Sequence, residues 1–165
     1  MEFKLRKWEK SDIKSMVKYA NNINVSKYLT DEFPYPYVEK DAEDYLKLIE
    51  NDNPTKVFAI EVNGEAVGSI GIFPQSSIHK KNAEIGYWLA EEFWRKGIMS
   101  EAIRQIADYG FKTFDVTRIF ARPFDINIGS QKALIKAGFT FECEFEKTIF
   151  KNGEYYDEIY FSIRK

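Results

Sequence analysis

The stretch Ala83-Glu84-Ile85-Gly86-Tyr87-Trp88-Leu89-Ala90-Glu91-Glu92-Phe93-Trp94-Arg95-Lys96-Gly97-Ile98-Met99-Ser100-Glu101-Ala102 changes character twice. Ala83 to Leu89 reads as a β-strand. A loop follows that ends in Arg95, Lys96 and Gly97. From there the period becomes helical: Met99, Ala102, Ile103, Ile106, Ala107 and Gly110 share one face of a helix running to Thr113. The first turn of a helix leaves several backbone N–H groups unpaired, and these can face an anion. Arg95 and Lys96 add positive charge at that point, and Gly97 lets the backbone approach without a Cβ in the way. A strand, a basic loop and a helix in this order suit a pyrophosphate. The chain carries neither G-x-x-x-x-G-K-[S/T] nor G-x-G-x-x-G, so the P-loop and the dinucleotide fingerprint are excluded. Read alone, the loop fits two solvated charges beside an ordinary turn glycine better, because single-glycine loops are common.

Outward from this stretch the chain alternates strands and helices. Phe3, Leu5 and Lys7 alternate with Lys4, Arg6 and Trp8, which predicts a first strand. Ser11 or Asp12 is placed to cap a helix to about Asn21, with Ile13, Met16, Val17 and Ala20 as its apolar stripe. A short helical piece is expected over 23–30. Pro34 and Pro36 then force extended chain, and a helix from Glu39 to about Glu50 carries Ala42, Tyr45, Leu46 and Ile49 on one side. Phe58, Ile60 and Val62, the Asn63-Gly64 turn, and Val67 to Phe73 make a hairpin. Arg118 to Arg122 is a strand, Asn127 opens a helix that Gly138 ends, and Asn152-Gly153 turns a last hairpin. The order β-α-α-α-β-β-β-α-β-α-β-β predicts an α/β (α+β) fold: one domain over 1–165, a mixed, mostly antiparallel sheet of about seven strands, and helices on both faces.

Composition narrows the chemistry. One Cys, Cys143, and one His, His79, exclude an intrachain disulfide framework and a Cys/His zinc cluster, and no metal is expected. Net charge is −2, so neither a strong nucleic-acid footprint nor a membrane partner is expected. No apolar run approaches the ~20 residues of a membrane helix, and Met1 to Lys10 has no signal-peptide core, so a cytoplasmic location is expected. Aromatic residues reach 16% of the chain, well supplied for both core and binding surface. Cys143 lies in a Phe-rich strand and is expected to be a buried structural thiol.

With these motifs in place the sequence resembles the GNAT superfamily of N-acetyltransferases. That superfamily binds acetyl-CoA with a Q/R-x-x-G-x-G/A loop after its fourth strand. Here Trp94-Arg95-Lys96-Gly97-Ile98-Met99 occupies that loop, with Trp94 in place of Gln/Arg and Met99 in place of the final Gly/Ala. Ala83 to Leu89 is similar to the fourth strand of the ribosomal-protein alanine/serine N-terminal acetyltransferase branch. Asn127-x-x-Ser130 with Leu134 to Phe139, and Lys151 to Glu154 with Asp157, resemble that branch's later motifs. The resemblance covers nearly the whole chain. It implies a splay between strands 4 and 5, and acetyl-CoA as cosubstrate. It further implies CoA contacts from Tyr87, Trp88, Leu89, Arg95, Lys96, Gly97, Ile98, Met99, Ser100 and Asn127.

The resemblance also implies roles. Transfer of acetyl from a thioester to an amine needs a neutral amine, a polarised carbonyl and a stabilised leaving thiolate. Glu84 is the expected base. Ser130 is the expected acid or thiolate stabiliser, with a Tyr as its competitor; Ser130 and Asn127 also fit the N3 and N-cap positions of a helix. The acceptor amine, a peptide N-terminus or a small molecule, is expected against Phe33, Tyr35, Tyr37, Tyr155 and Tyr156, with Asp31, Glu32 or Asp157 as counter-charges. A polyamine, an aminoglycoside or an amino acid is the alternative acceptor. A catalytically silent acyl-CoA-binding module is the alternative class, and a nucleotide-binding fold is a third. Either a monomer or a homodimer suits the aromatic edge strands.

Overall fold

Side chains three and four apart bury one side of each long helix. The computed structural model describes Met1–Lys165. In α1 (Ile13–Ala20) Met16, Tyr19 and Ala20 are buried. After the single turn of α2 (Ile23–Ser26), α3 (Glu39–Ile49) buries Ala42 and Leu46. Met16, Ala20, Tyr37, Ala42 and Leu46 form one core cluster, with Trp8, Phe33, Tyr45 and Trp88 packed against it. Each such large side chain contributes roughly 1.5–3 kcal/mol on burial. In α4 (Ile98–Thr113) the buried stripe is Ile98, Ala102, Ile103, Ile106, Ala107 and Gly110; Met99 is only half-buried. The last helix, α5 (Ile128–Lys136), ends as expected at Gly138, φ +97°. There the Gly138 and Phe139 amides donate to the carbonyls of Ile135 and Leu134 at 3.0 Å each.

The strands are β1 (Lys4–Arg6), β2 (Val57–Val62), β3 (Glu65–Pro74), β4 (Asn82–Leu89), β5 (Arg118–Ala121), β6 (Thr140–Lys151) and β7 (Glu154–Arg164). They lie in one seven-stranded sheet in the order β1-β2-β3-β4-β5-β7-β6. Pairing is antiparallel for β1–β2, β2–β3, β5–β7 and β6–β7, and parallel for β4–β5. Both predicted Asn-Gly turns have left-handed residues at both positions: φ +51° and +85° at Asn63-Gly64, +51° and +82° at Asn152-Gly153. The β4–β5 ladder joins only Asn82–Glu84 to Arg118–Phe120. Strand β5 then stops at Ala121, whereas β4 continues to Leu89.

The chain clusters into two compact units, Met1–Gly71 with Tyr87–Ile98, and Ile72–Gly86 with Met99–Lys165. The first holds the α1–α3 core. In the second, α4 packs Gly110 against Ile72 and Ile119. No helix is long and apolar enough to cross a membrane.

Two expectations are corrected. Asp12 does not cap α1: its carboxylate accepts from the Glu9 amide at 2.9 Å and from two Arg6 nitrogens at 2.7 and 2.8 Å, because a buried carboxylate gains more from a guanidinium than from one helix N–H. Cys143 is half-buried rather than buried, because β6 is the last strand of the sheet and nearly all its residues are exposed.

Candidate active site

In the first unit the loop after β4 is built to hold its shape. The Ala90 amide donates to the Val67 carbonyl at 2.9 Å, and a 3₁₀ turn over Glu91–Phe93 follows. The Glu91 carboxylate accepts from the side-chain amides of Asn22 at 2.8 Å and Asn24 at 3.1 Å; these bonds hold it below the usual carboxylate range. Trp94 turns its indole N–H back to the Leu89 carbonyl at 2.7 Å, which closes the loop on its own strand. Arg95 and Gly97 both take left-handed backbone, φ +61° and +79°. Left-handed residues set between right-handed ones turn successive N–H groups toward one side, which is the backbone form of an anion cradle. Arg95, Lys96 and Gly97 are exposed, and Lys96 Nζ lies 5.2 Å from the centre of the Phe93 ring. Ile98 is 1% exposed, so only its main chain can serve a ligand. Ser100 is likewise buried under the first turn of α4.

The same unit carries half of the expected acceptor wall. Phe33 is half-buried, with its ring 5.8 Å from Trp88 of β4 and 5.1 Å from Tyr37. Tyr35 is exposed. Tyr37 corrects the expectation: it is 4% exposed and its hydroxyl donates to Met16 Sδ at 3.3 Å, so its ring belongs to the core and offers no face to an acceptor. Tyr87 and Trp88 are half-buried and Leu89 is buried. Asp31 and Glu32 are exposed beside Phe33 in the chain.

In the second unit Asn127 does cap α5, its Oδ1 accepting from the Ser130 amide at 3.2 Å. This bond fixes the half-buried Ser130 at the start of the helix. Tyr156 packs against Phe124 with ring centres 5.5 Å apart, and Tyr155 lies exposed against Phe150 at 4.9 Å. Asp157 is not a free counter-charge, since its Oδ1 accepts from the Lys147 amide at 2.8 Å. Glu84 stands in a bidentate ion pair: Arg122 Nε and Nη2 donate to its two oxygens at 2.8 and 3.0 Å. The carboxylate expected to serve as the base is thus held in an ion pair.

Arg122, Glu158 and Trp94's bond escaped the sequence reading. In the sequence Trp94 is only a departure from the family pattern. Arg122 closes a predicted strand, a position that carried no charge signal. Gly68, inside β3, did carry one, because a glycine within a strand often marks a close backbone approach. A Cβ there would sit 2.5 Å from the Trp88 carbonyl oxygen.

Comparison with known proteins bears on this arrangement. The family described as "Acetyltransferase (GNAT) domain" matches residues 2–140. The chain is 31% identical over 161 residues to the uncharacterized N-acetyltransferase YnaD of Bacillus subtilis, covering 96% of this chain and 91% of that protein. It is 28% identical over 156 residues to the spermidine N(1)-acetyltransferase of Escherichia coli K12, covering 94% and 82%. Among solved structures, a GNAT-family acetyltransferase from Bacillus anthracis superposes with a TM-score of 0.83 at 26% identity, over 99% of this chain and 95% of that one. A ribosomal L7/L12 α-N-protein acetyltransferase, RimL, solved with coenzyme A, shares the fold with a TM-score of 0.84 at 21% identity over 98% and 93%. With a family match over most of its length and a relative 31% identical over nearly all of it, the chain belongs to the GNAT acetyltransferase family, an enzyme of the acyltransferase class.

Proposed function

We propose that this enzyme transfers the acetyl group of acetyl-CoA directly to a primary amine, in a ternary complex and without an acyl-enzyme. The observation that carries the reading is the Trp94–Gly97 loop: two left-handed residues, two exposed cations and the start of a 16-residue helix at one point. Arg95, Lys96 and the amides near Gly97 would hold the pyrophosphate. Residues 85–89, where β4 outruns β5, would offer main-chain groups to the pantetheine arm and one N–H to the thioester oxygen.

The amine nitrogen attacks the thioester carbon; the C–N bond forms and the C–S bond breaks. The nitrogen gives up its proton to a carboxylate, and the leaving thiolate is stabilised or protonated by Ser130 or a tyrosine. Tyr87, Trp88 and Leu89 serve by position rather than by side-chain chemistry. The acceptor candidates are Phe33 and Tyr35 in the first unit and Tyr155 and Tyr156 in the second. The first acceptor reading is a protein N-terminal amine, supported by the resemblance to the ribosomal-protein branch. A small cationic amine is the second, favoured by the exposed Asp31 and Glu32 beside Phe33. A cytoplasmic location fits a chain with a single cysteine.

Calorimetry with acetyl-CoA, followed by a thiol-release assay, tests the function. The amine panel holds a peptide with an N-terminal Ala or Ser, spermidine, an amino sugar and a free amino acid. Binding with release on one amine is expected. Binding with no release on any would instead favour a silent acyl-CoA-binding module. Thermal protection by ATP or NAD but not CoA would remove the reading altogether.

A further inference from the structure

Four polar side chains meet within the second unit where β4, β5 and β7 lie side by side. Glu84 comes from β4, Arg122 follows β5, and Glu158 and Tyr160 stand two apart on β7, hence on one face. Arg122 commits Nε and Nη2 to Glu84 and leaves Nη1 toward Glu158, 3.8 Å from Oε2. Its guanidinium carbon lies 5.9 Å from the centre of the Tyr160 ring. The two carboxylates therefore share one cation unequally. Glu84 is matched oxygen for nitrogen, while Glu158 lies beyond hydrogen-bond distance of the same group.

The surroundings of Glu158 add no second cation. Its strand neighbour on β6 is Phe145, flanked by the exposed Glu144 and Glu146. On the other side it bridges Phe124. The next residue, Asp125, donates its amide to the Asp157 carbonyl at 3.0 Å and keeps a buried Oδ1 with no hydrogen-bond partner. The Glu158 side chain is 18% exposed, against 26% for Glu84. Burial pushes the Glu158 carboxyl above the ordinary carboxylate range; the charge of Arg122 opposes it without prevailing, and the charge of Glu84 adds a smaller upward push. A carboxylate in that condition is a better match to an amine's proton than one in a closed ion pair.

Resting on the acetyltransferase reading, we propose that Glu158 takes the proton from the acceptor amine, and that Glu84 is a positioning residue that holds Arg122 away from it. The acceptor arrives as an ammonium ion and gives one proton to the Glu158 carboxylate. The neutral nitrogen then attacks the thioester carbon. As the C–S bond breaks, the second nitrogen proton reaches the departing thiolate by way of the Ser130 or tyrosine hydroxyl, which is left unchanged, and Glu158 returns its proton to water. One proton is released per amide formed.

The experiment compares pH profiles of kcat/KM for the full chain, Glu158→Gln, Glu158→Asp and Glu84→Gln, on whichever amine the panel identifies. Acetyl-CoA affinity is measured by calorimetry and Tm is recorded for each. Glu158→Gln is expected to lower kcat/KM by at least about 100-fold and to abolish the acidic limb, with acetyl-CoA affinity and Tm retained. Glu158→Asp is expected to recover part of the rate together with the limb. In Glu84→Gln the limb persists but moves to lower pH, because Glu158 loses a like charge and gains Arg122 undivided. A Glu158→Gln profile matching the unsubstituted enzyme overturns the proposal. So does a Glu84→Gln enzyme that loses the limb. Carbon-13 NMR of labelled glutamate carboxyls gives a readout that needs no turnover. The resonance absent from Glu158→Gln should titrate above the other glutamates and shift down in Glu84→Gln; titration in the ordinary range counts against the proposal. Absence of thiol release from the unsubstituted enzyme would strike the acetyltransferase reading, and the NMR titration would still decide how Glu84 and Glu158 share Arg122.

Discussion

Trp94 shows what one side chain can do for a loop. It stands where the family pattern carries Gln or Arg, and the sequence marked it only as a departure. The structure supplies the reason, because its indole N–H closes the loop onto the Leu89 carbonyl at 2.7 Å. A partner five residues away cannot be read from a residue list, since it depends on how the chain turns between. Gly97 was legible as a turn glycine at the end of a basic loop, and its backbone is left-handed, φ +79°. The two residues should separate on substitution. Gly97→Ala places a Cβ in left-handed backbone at about 1–2 kcal/mol, so acetyl-CoA affinity should fall roughly tenfold. Trp94→Phe keeps the ring and loses one hydrogen bond of about 1 kcal/mol, so the fall should be about fivefold. Calorimetry on both variants checks the order, and a Trp94→Phe enzyme that binds as tightly as the unsubstituted chain would show the bond to be incidental.

At the level of elements, strands and helices followed their periods closely, because each period is a local property of the chain. Val57–Val62 and Glu65–Pro74 stand where alternation and Asn63-Gly64 put them. Burial was less legible. Phe141, Cys143 and Phe145 alternate as a core-facing strand would, yet Phe141 and Phe145 are exposed, because β6 has a single neighbour, β7. Which strand lies at an edge is a fact of topology, not of alternation. Gly68 joins the two kinds of information. Its missing Cβ makes room for the Trp88 carbonyl, and the Leu89 Cα would lie 3.1 Å from it. Backbone cannot swing aside as a side-chain tip can. Gly68→Ala should therefore displace β4 in the first unit and cost about 1–3 kcal/mol. The expected outcome is a lower urea midpoint together with weaker acetyl-CoA binding. A variant destabilised with unchanged affinity would place the displacement in β3 instead.

Over the whole molecule, ion pairs between residues distant in sequence were invisible beforehand, because nothing in a linear pattern pairs Arg118 with Glu142 or Arg122 with Glu84. Three carboxylates held by arginines, Glu142, Asp12 and Glu61, contribute to the response to acid. Hydrogen bonding from Arg118 leads the causes that push Glu142 down to about 2 from the ordinary 4.5, with Ser162 and Arg164 adding to it. Burial alone would raise Asp12, but the Arg6 bonds outweigh it and hold the carboxyl below its usual range. The same guanidinium, with Lys4, holds Glu61 down. Each of these groups binds its proton less tightly folded than unfolded. Their contribution is therefore complete above the ordinary values, 4.5 for the two glutamates and 3.8 for Asp12, and is lost as pH falls through each group's lowered value, which for Glu142 is about 2. Glu158 runs the other way: its raised value makes ionisation unfavourable to the fold, so that term eases in acid. Depressed carboxylates, these three and the exposed Glu91 among them, outnumber it, and Tm should hold steady from neutrality to about pH 5 and then decline steeply. Glu142→Gln isolates one share. The pair is partly exposed, so it is worth about 1 kcal/mol at neutral pH, a Tm loss of roughly 2–4 °C. That difference should shrink below pH 4.5 and vanish only once pH falls below about 2, where the unsubstituted carboxyl is itself protonated. A Tm difference that stays constant across this range would mean that Glu142 stabilises the sheet by packing, and that its charge matters little.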